Sequence, residues 1–483
     1  MVAGRLTAPN ETHCRYDAAN PFAYFALEEP VALRILIFGL NYAPELTGIG
    51  KYTGEMASWL SARGHQVRVV TAPPYYPAWR VADAYRGRGY VREGGGPKGD
   101  GAGEPLVMRC PLYVPEIPSG AKRMVHLFSF ALSGLPVMLR EVLAKPDAVF
   151  TVEPTFFGAP VALMAGKLAQ APAWLHVQDY EIDAAFDLGL LPAKGWLHDV
   201  AIGLEKWFTR QFQRVSSISF RMMERALLKQ VQPERIVLFP NWVDIEMVKP
   251  QAVGAANRFR EELGLQGKTV VLYSGNMGNK QGLEMLGPLA QALQDDASVH
   301  FLFCGDGAFR PQLEAMVAAM SNVSLLPLQP LDALNDLLNC ADIHLLPQRA
   351  DAADLVMPSK LTGMLSSGRP TVATAAVGTQ VAGVVGGVEG SHAATGVVVP
   401  AGDVDGAIDA VRALAGDAAQ RAVLGAAARQ YAEQHLGTEQ VLLQFEKDLQ
   451  DAVAEYRGRG KVSPRMSPFL MEKADRRRSS REV

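Results

Sequence analysis

Ser359 and Lys360 lie side by side in a segment that follows an apolar strand and precedes a short predicted helix. The strand is Ile343–Leu346, and a polar loop connects it to the Pro-Ser-Lys turn. A helix start favours anions and a lysine adds a full positive charge, so the pattern predicts a diphosphate site, with Leu361 directly behind it. Taken alone, the pattern is more typical of an ordinary connection with a surface lysine, and other segments must decide between the two.

A second segment with glycines and a lysine, Ser274–Gly282, follows another apolar strand. Its residues Gly275, Asn276 and Gly278 would let a ligand approach the backbone closely. Lys280 is suited to neutralising a leaving phosphate, although a lysine in a turn is as often a solvated side chain. We predict that this loop binds the same diphosphate.

Two more strand ends lie between these segments. Gly305-Asp306-Gly307 forms a tight turn that we expect to be structural, and at Leu326–Pro330, which includes Gln329, backbone groups are placed to contact a flat base. Open α/β sheets bind ligands at the carboxyl ends of their strands. Together, the strand ends predict a nucleotide-diphosphate site.

A glycine-rich loop also follows the first predicted strand, Arg34–Leu40. It contains Gly48, Ile49, Gly50 and Lys51, which we expect to form one wall of an active-site cleft. Its glycine spacing matches neither a Walker loop nor GxGxxG, so the loop is not a nucleotide fingerprint.

The other charged cluster, His176–Glu181, follows a later strand of the same sheet. His176 is either a candidate catalytic residue of the cleft or a structural histidine, and Asp179 is a second candidate site residue beside it. A two-carboxylate hydrolase is not supported, because the sequence identifies no carboxylate pair at the required separation.

Composition narrows the class of protein. The 483 residues are 48% apolar and carry a formal net charge of −3, which argues for a globular protein that does not bind nucleic acid generally. The four cysteines lie far apart without CxxC spacing and are predicted to be reduced thiols. Asp403-Val404-Asp405 resembles a metal signature but precedes a predicted helix, so we interpret it as a helix cap and expect no metal ion and no cofactor.

Strand–loop–helix–strand spacing in both halves predicts an α/β fold with two facing Rossmann-like, doubly wound domains and a cleft between them. We place the first domain at residues 33–237, the nucleotide domain at 238–435 and a C-terminal helix at 436–456. Residues 1–32 are predicted to be a disordered extension and residues 457–483 a disordered basic tail. Gly94–Gly103 is expected to be a mobile connection.

The segment 120–143 bears on contact with a membrane. Lys122 and Arg123 precede an apolar stretch that is too short to span a bilayer and is expected to break near Pro136. It is either a core helix or a peripheral contact with an anionic membrane surface.

The order of these segments resembles that of the family 4 glycosyltransferases, which have the GT-B architecture, over roughly residues 33 to 456. Pro240–Asp244 (PNWVD) stands where the family has a PNGVD-like linker, and YSGNMGNKQG stands where it has a loop with glycine, arginine and lysine. FLFCGDG and the Pro-Ser-Lys to Gly-Arg-Pro segment follow in the family's order. The strings LNYAPELTGIGKYTGEMA, VEPTFFGAP, HVQDYEID and MPSKLTGML are most similar to bacterial exopolysaccharide enzymes of the colanic-acid type.

The resemblance implies metal-independent transfer of a hexose from a GDP- or UDP-sugar, with fucose as a reasonable guess, and with the anomeric configuration kept. The acceptor would be a lipid-linked saccharide. The donor would lie around Lys280, Ser359 and Lys360, and the acceptor near Gly48–Gly50 and His176–Asp179. Such an enzyme would be cytoplasmic and peripheral on the cytoplasmic face of the membrane.

Many family members carry two glutamates around the start of the last helix, and this chain lacks both. Aligned on the Gly368-Arg369-Pro370 turn, their positions hold Leu355 and Gly363, so Asp354 is at best a displaced substitute. Asn276 stands where an arginine is frequent, which leaves Lys280 as the main cation of its loop. A nucleotide-sugar epimerase and a non-catalytic sugar-nucleotide sensor stay open as alternatives.

Overall fold

The computed structural model describes residues 31–45, 48–117, 119–153, 157–178, 196–252, 254–278, 281–349, 358–388 and 391–458. Both predicted sheets are present. The strands are β1 (Arg34–Gly39), β2 (Gln66–Thr71), β3 (Val91–Gly94), β4 (Leu106–Arg109), β5 (Ala148–Glu153), β6 (Ala173–Val177), β7 (Arg214–Ser217), β8 (Ile236–Leu238), β9 (Thr269–Ser274), β10 (Val299–Cys304), β11 (Val323–Leu326), β12 (Ile343–Pro347), β13 (Thr371–Thr374) and β14 (Gly396–Val399).

Helices connect most of these strands. They are α1 (Gly48–Ala62), α2 (Gly120–Val142), α3 (Gly158–Ala169), α4 (Trp196–Thr209), α5 (Phe220–Leu228), α6 (Arg258–Glu262), α7 (Leu286–Ala292), α8 (Arg310–Val317), α9 (Leu334–Cys340), α10 (Lys360–Ser366), α11 (Gln380–Gly386), α12 (Val404–Gly416), α13 (Ala418–His435) and α14 (Thr438–Tyr456).

The first sheet has the strand order β3-β4-β2-β1-β5-β6-β7-β8, and every neighbouring pair except β3 and β4 is parallel. Its central strands are apolar throughout because helices cover both faces, as is typical of buried parallel strands. Helices α2, α3 and α5 contribute to the core on one face. On the other face, α1 and α14 pack against the sheet.

The second sheet is parallel, with the order β11-β10-β9-β12-β13-β14. The strand order reverses between β9 and β12, just as it reverses between β1 and β5 in the first sheet. Such switch points leave a crevice at the carboxyl ends of the strands. The fold therefore offers one crevice on each sheet.

The C-terminal helix α14 returns from the second domain and packs on the first. The Phe445 ring stacks on Phe239 at 4.3 Å between centroids, and both are buried. Glu446 lies 2.7 Å from Nε2 of buried His65 and accepts a hydrogen bond from Nε of Arg63 at 2.9 Å. The chain therefore connects the two domains twice, near residue 239 and again at α14.

Two local predictions were wrong. Gly94–Gly103 is held against the first sheet, because Oγ of Ser61 and the N–H of Val67 both donate to the Gly101 carbonyl, at 2.9 and 3.1 Å. Helix α2 continues through Pro136, because Phe130 and Met138 on either side are buried in the same core and hold the helix together across the proline.

Two further predictions agree with the structure, and others concern residues that it does not describe. Asp403 caps α12 by accepting from the N–H of Gly406 at 2.9 Å, which confirms that interpretation. Cys110, Cys304 and Cys340 are free and buried as predicted. Cys14, most of the N-terminal extension and most of the basic tail lie outside the described residues.

Candidate functional site

The carboxyl ends of β9 and β12 form the switch point of the second sheet, and two predicted segments meet there. The loop after β9 begins with Gly275, and α10, the next described helix after β12, begins with Lys360. A β-carbon built on Gly275 would lie 3.4 Å from Nζ of Lys360. The structure therefore brings the glycine loop and the lysine together at the crevice.

The lysine is held by an aromatic residue at the end of β9. Nζ of Lys360 donates to the hydroxyl oxygen of Tyr273 at 2.8 Å and lies 4.1 Å from the centre of its ring. The same hydroxyl lies 2.7 Å from the Asn276 carbonyl and 3.1 Å from Oε1 of Gln281. Tyr273 thus fixes both the lysine and the glycine loop.

Burial lowers the pKa of Lys360 to about 7. Among the described residues no carboxylate contributes to that shift, so within them the desolvation of the ammonium is not offset by a negative charge. An anion in the crevice would supply that charge and favour the protonated form. The electrostatics therefore favour a ligand with a negative group next to Nζ.

Close backbone packing shapes the neighbouring strand ends. A β-carbon on Gly305 would lie 1.9 Å from the carbonyl oxygen of Gly275, so a side chain there would force the two loops apart. The N–H of Gly275 donates to the Cys304 carbonyl at 2.9 Å, and that of Met277 donates to the Asp306 carbonyl at 2.7 Å. The predicted structural role of the Gly305–Gly307 turn agrees with these contacts.

The other residues predicted to bind the donor differ in exposure and in the hydrogen bonds they already make. The side chains of Asn276 and Ser359 are exposed, whereas the N–H of Gly278 donates to Oε1 of Gln281 at 3.0 Å. Nε2 of Gln329 donates to the Pro327 carbonyl at 2.8 Å. Leu361 is fully buried and its N–H donates to the Pro358 carbonyl at 3.0 Å, so neither its side chain nor its N–H faces the crevice.

Several predicted residues lie outside the described residues. They are Lys280, Asp354, Leu355 and Asp179. The other position with a missing glutamate, Gly363, is described: a β-carbon built there would lie 3.2 Å from Cδ1 of Leu338 on α9. A side chain at position 363 would therefore pack against α9.

The first-domain loop lies against the same helix. Gly48 and Ile49 begin α1, and buried Tyr52 on this helix lies beside Thr362 of α10. Gly50 is required by close approach, since a β-carbon there would lie 2.7 Å from both Cβ and Oε2 of Glu45. The predicted wall of the cleft is thus next to the helix that carries Lys360.

Lys51 has partners on its own helix. Its Nζ lies 3.5 Å from Glu55 and 4.7 Å from the centre of the Tyr52 ring. Trp242 of the PNWVD linker donates to the same Glu55 at 2.8 Å and packs edge-on against Tyr52 at 5.0 Å. The linker, the first-domain wall and α10 are therefore in one connected set of contacts.

His176 lies in the core of the first domain. Its Nδ1 is 2.9 Å from Oγ of Ser216, which also accepts from Nε1 of Trp174, and its ring packs on Phe239 at 4.9 Å. Burial lowers its pKa to about 3, opposed by the contact with Ser216. These surroundings are those of the structural histidine that the sequence left open.

The sequence did not single out two residues that shape the site. Tyr273 is the penultimate residue of β9, where a buried apolar side chain would be usual. Glu45 is buried and accepts from Nδ2 of Asn41 at 2.9 Å and from the N–H groups of Tyr75 and Tyr76 at 3.1 and 3.0 Å. Burial raises the pKa of Glu45, and these donors oppose the rise. For Tyr273, a polar side chain at a strand end is the only signal in the sequence.

Comparison with known proteins identifies the family. The chain matches a glycosyl transferase 4-like domain over residues 47–242 and a glycosyl transferases group 1 domain over residues 268–417. It is 40% identical over 425 residues to the colanic acid biosynthesis glycosyl transferase WcaI of Escherichia coli K12, covering 86% of this chain and all of WcaI. The chain belongs to glycosyltransferase family 4. This confirms the resemblance found in the sequence. As a member of this family, the chain is a glycosyltransferase.

Solved structures confirm the GT-B fold of the family 4 glycosyltransferase. HepE of Anabaena in complex with UDP superposes with a TM-score of 0.61 at 14% identity, over 86% of this chain and all of that one. Sucrose-phosphate synthase of Thermosynechococcus elongatus superposes with a TM-score of 0.64 at 16% identity, over 87% and 100% of the two chains. These likenesses concern the fold alone.

Within the part of the chain that the structure describes, the site of this glycosyltransferase presents the ammonium of Lys360 and backbone groups at the crevice of the second sheet. Among the described residues, no three His, Cys, Asp or Glu side chains are grouped to hold a metal ion. Lys360 is the described cation that lies beside the Gly275 loop.

Proposed function

We propose that the chain transfers a sugar from a nucleoside diphosphate to a lipid-linked saccharide during assembly of an exopolysaccharide of the colanic-acid type. The donor is a GDP- or UDP-sugar, with GDP-fucose as one candidate. The observation that supports donor binding is the position of Nζ of Lys360, held by Tyr273 beside Gly275 at the switch point. The relative WcaI supports the type of polysaccharide.

In this proposal, the diphosphate lies against Lys360 and the loop after β9, and Lys280 is assigned to the same charge. The bond between the anomeric carbon and the phosphate oxygen breaks, and the acceptor oxygen bonds to that carbon on the same face. The acceptor proton moves to the departing phosphate oxygen. Because negative charge on that oxygen grows in the transition state, a preorganised ammonium accelerates the step.

The acceptor approaches from the first domain, where the wall at Gly48–Gly50 lies against α10. A lipid-linked acceptor requires the enzyme to work at the cytoplasmic face of a membrane. Peripheral contact through the segment 120–143 is part of this proposal.

The test is incubation with a panel of nucleotide sugars and a lipid-linked acceptor, with thermal shifts measured for GDP and UDP. A bound nucleotide stabilises the native state according to its affinity, so the base that raises Tm more identifies the donor. Lys360→Ala and Lys280→Ala should each lower kcat on the order of 10²–10³-fold, by analogy with loss of one oxyanion donor. Lys249→Ala, which removes an exposed lysine of the same domain, is the matched control.

Full activity of both folded lysine variants would contradict the assignment of Lys280 and Lys360. Interconversion of free nucleotide sugars without transfer would identify an epimerase. Nucleotide binding without any turnover over the whole panel would favour a sensor.

A further inference from the structure

Arg123, in the first turn of α2, forms no ion pair with a carboxylate within the described part of the chain. Its guanidinium carbon lies 5.2 Å from the centre of the Trp79 ring. By contrast, Arg109 at the end of β4 is paired with Glu93 at 2.8 Å and donates to two carbonyl groups. A guanidinium that is stacked on a ring but not paired keeps N–H groups available for an anion.

Two buried polar atoms without partners lie together on this part of α2. They are Nε of Arg123 and Nε2 of His126, which are three residues apart and so lie on one side of the helix. Nδ1 of His126 is 2.5 Å from the Tyr113 carbonyl oxygen, so Nδ1 carries the proton and Nε2 the lone pair. Buried polar atoms are nearly always hydrogen-bonded, so two that lack a partner among the described residues indicate a place that a polar ligand completes.

Trp79 supports both of these side chains. Its ring lies 5.5 Å from the His126 ring and 5.8 Å from the ring of buried Tyr75. Its backbone has a φ of 50°, in the left-handed region that bulky residues rarely adopt. Such strain persists only where surrounding contacts enforce it, and it is concentrated at binding and catalytic sites. Trp79 is thus held in a costly conformation that places its ring against Arg123.

These residues lie on the edge of the first sheet that faces the crevice. Tyr76 and Trp79 belong to the loop after β2, and Arg123 belongs to the helix after β4. Because β1, β2 and β4 are parallel neighbours, the loops that follow them leave the same edge of the sheet. The N–H of Tyr76 donates to Oε1 of Glu45 at 3.0 Å, and Glu45 lies against Gly50. The first-domain wall is therefore next to this place.

We call Tyr76, Trp79, Arg123 and His126 the Arg123 cluster. Burial raises the pKa of Tyr76, and the charge of Arg123 opposes the rise. Burial lowers the pKa of His126, and the same charge lowers it further. Tyr76 is 37% exposed, so the cluster is open to solvent on one side. It joins aromatic surface, which packs against a ligand ring, to a guanidinium, which binds carboxylate or phosphate oxygens in pairs.

We propose that the Arg123 cluster binds an anionic group of the acceptor, with the guanidinium on its oxygens and the aromatic rings against an acceptor sugar. The inference rests on the proposed function for the existence of an acceptor. The anion has two possible sources, namely the diphosphate that joins a saccharide to its lipid and the carboxylate of an acidic sugar. Both present the pair of oxygens that fits the fork of an arginine. The cluster would make the first domain selective for a charged acceptor.

The experiment compares three water-soluble acceptors that share one sugar: a neutral hexyl glycoside, the matching hexyl uronide and a glycosyl diphosphate hexyl ester. Arg123→Gln should raise KM for one of the anionic acceptors roughly 10- to 100-fold and keep kcat within about threefold, because a charged hydrogen bond used in binding is lost. The anionic acceptor that responds identifies the source. KM for the neutral glycoside should not change, which also shows that the variant is folded. Arg123→Lys should recover only part of the loss, because lysine lacks the fork.

Arg80→Gln is the matched control, since it removes an arginine from the loop that carries Trp79, where Arg80 pairs with Asp83 at 3.0 Å. It should keep the KM values of the wild type. The proposal would be overturned if Arg123→Gln changed KM equally for neutral and anionic acceptors, or for none of them. A loss confined to kcat would overturn it as well.

Calorimetric titration separates this proposal from the proposed function. Both anionic acceptors are titrated, without donor, into Lys360→Met and into Lys360→Met combined with Arg123→Gln, so that the diphosphate cannot pair with Lys360. One acceptor should bind the double variant roughly 10-fold more weakly or worse. Binding that depends on Arg123 without transfer to any acceptor would contradict the proposed function and leave the cluster as an anion site. Titrations that Arg123→Gln does not change would overturn the cluster whether or not sugar is transferred.

Discussion

Affinity for a nucleoside diphosphate should fall as the pH rises from 7 to 9, because burial lowers the pKa of Lys360 to about 7. A bound diphosphate next to Nζ stabilises the ammonium and raises its pKa, so binding takes up a proton above pH 7. The second ionisation of a phosphate, near pH 6, lies below this range, so the phosphate charge of the ligand is nearly constant. The sign of the effect is therefore weaker binding at higher pH.

The magnitude follows from the fraction of protonated lysine. With a pKa of about 7, this fraction is roughly one half at pH 7 and roughly one tenth at pH 8, so Kd should rise about fivefold. The rise should continue towards pH 9 until the charged contact is lost. A hydrogen bond to a charged group contributes about 1.5–3 kcal/mol, which limits the total loss to roughly 10- to 100-fold.

Calorimetric titration with GDP or UDP at several pH values measures this dependence, and Lys360→Met supplies the comparison. Methionine keeps a long side chain against Tyr273 without a charge, so its Kd should be weak and independent of pH. The folded pKa of Lys360 lies below its unfolded value, so this lysine costs wild-type stability as the pH falls from about 10 to 7. The Tm of Lys360→Met at pH 7 should therefore be no lower than that of the wild type.

Lys249→Met is the control and should keep the affinity and the pH dependence of the wild type. A constant Kd for the wild type between pH 7 and pH 9 would refute this account of Lys360. So would a Lys360→Met variant that binds the nucleotide as tightly as the wild type at pH 7.

Three further predictions concern the packing and chemistry of the site. Gly305→Ala should lower the free energy of unfolding by about 2–4 kcal/mol in urea titrations, because its β-carbon would lie 1.9 Å from the Gly275 carbonyl oxygen; an unchanged midpoint would contradict the close approach. His176→Phe should keep kcat within about threefold, since the ring packs on Phe239 and Ser216 retains the Trp174 donor, whereas a catalytic histidine would cost roughly 10²-fold or more. Transfer measured in EDTA should equal transfer without it, because the proposal assigns the diphosphate charge to lysine; abolition by EDTA with rescue by Mg²⁺ would show that a metal takes this role.

Much of the second domain was predictable because most of its strands are apolar runs that end at or just before glycine or proline. The positions of Gly275 and Lys360 after neighbouring strands followed from that pattern and from the topology of parallel sheets. The path of Gly94–Gly103 was not predictable, because its hydrogen bonds are made by Ser61 and Val67, which are distant in sequence.

Tyr273 and His176 show why side-chain roles were harder to predict than strand ends. Both are polar residues near the carboxyl end of a buried strand, and the sequence does not show which partner each will meet. Tyr273 meets a lysine from a helix 87 positions later, and His176 meets Ser216 and aromatic rings. Only the tertiary contacts decide that Tyr273 belongs to the crevice and His176 to the core.

The position of the missing glutamate points to where selectivity for the sugar must be sought. A side chain at Gly363 would meet Leu338, so this turn of α10 offers the donor sugar no carboxylate. One residue earlier, Thr362 lies beside Tyr52 of α1, so the helix that carries Lys360 packs against the first-domain wall. A sugar attached to a diphosphate at Lys360 would lie in a cleft whose other side is this wall. Substitutions in the loop between β1 and α1 should change which sugar is used before they change affinity for the nucleotide alone.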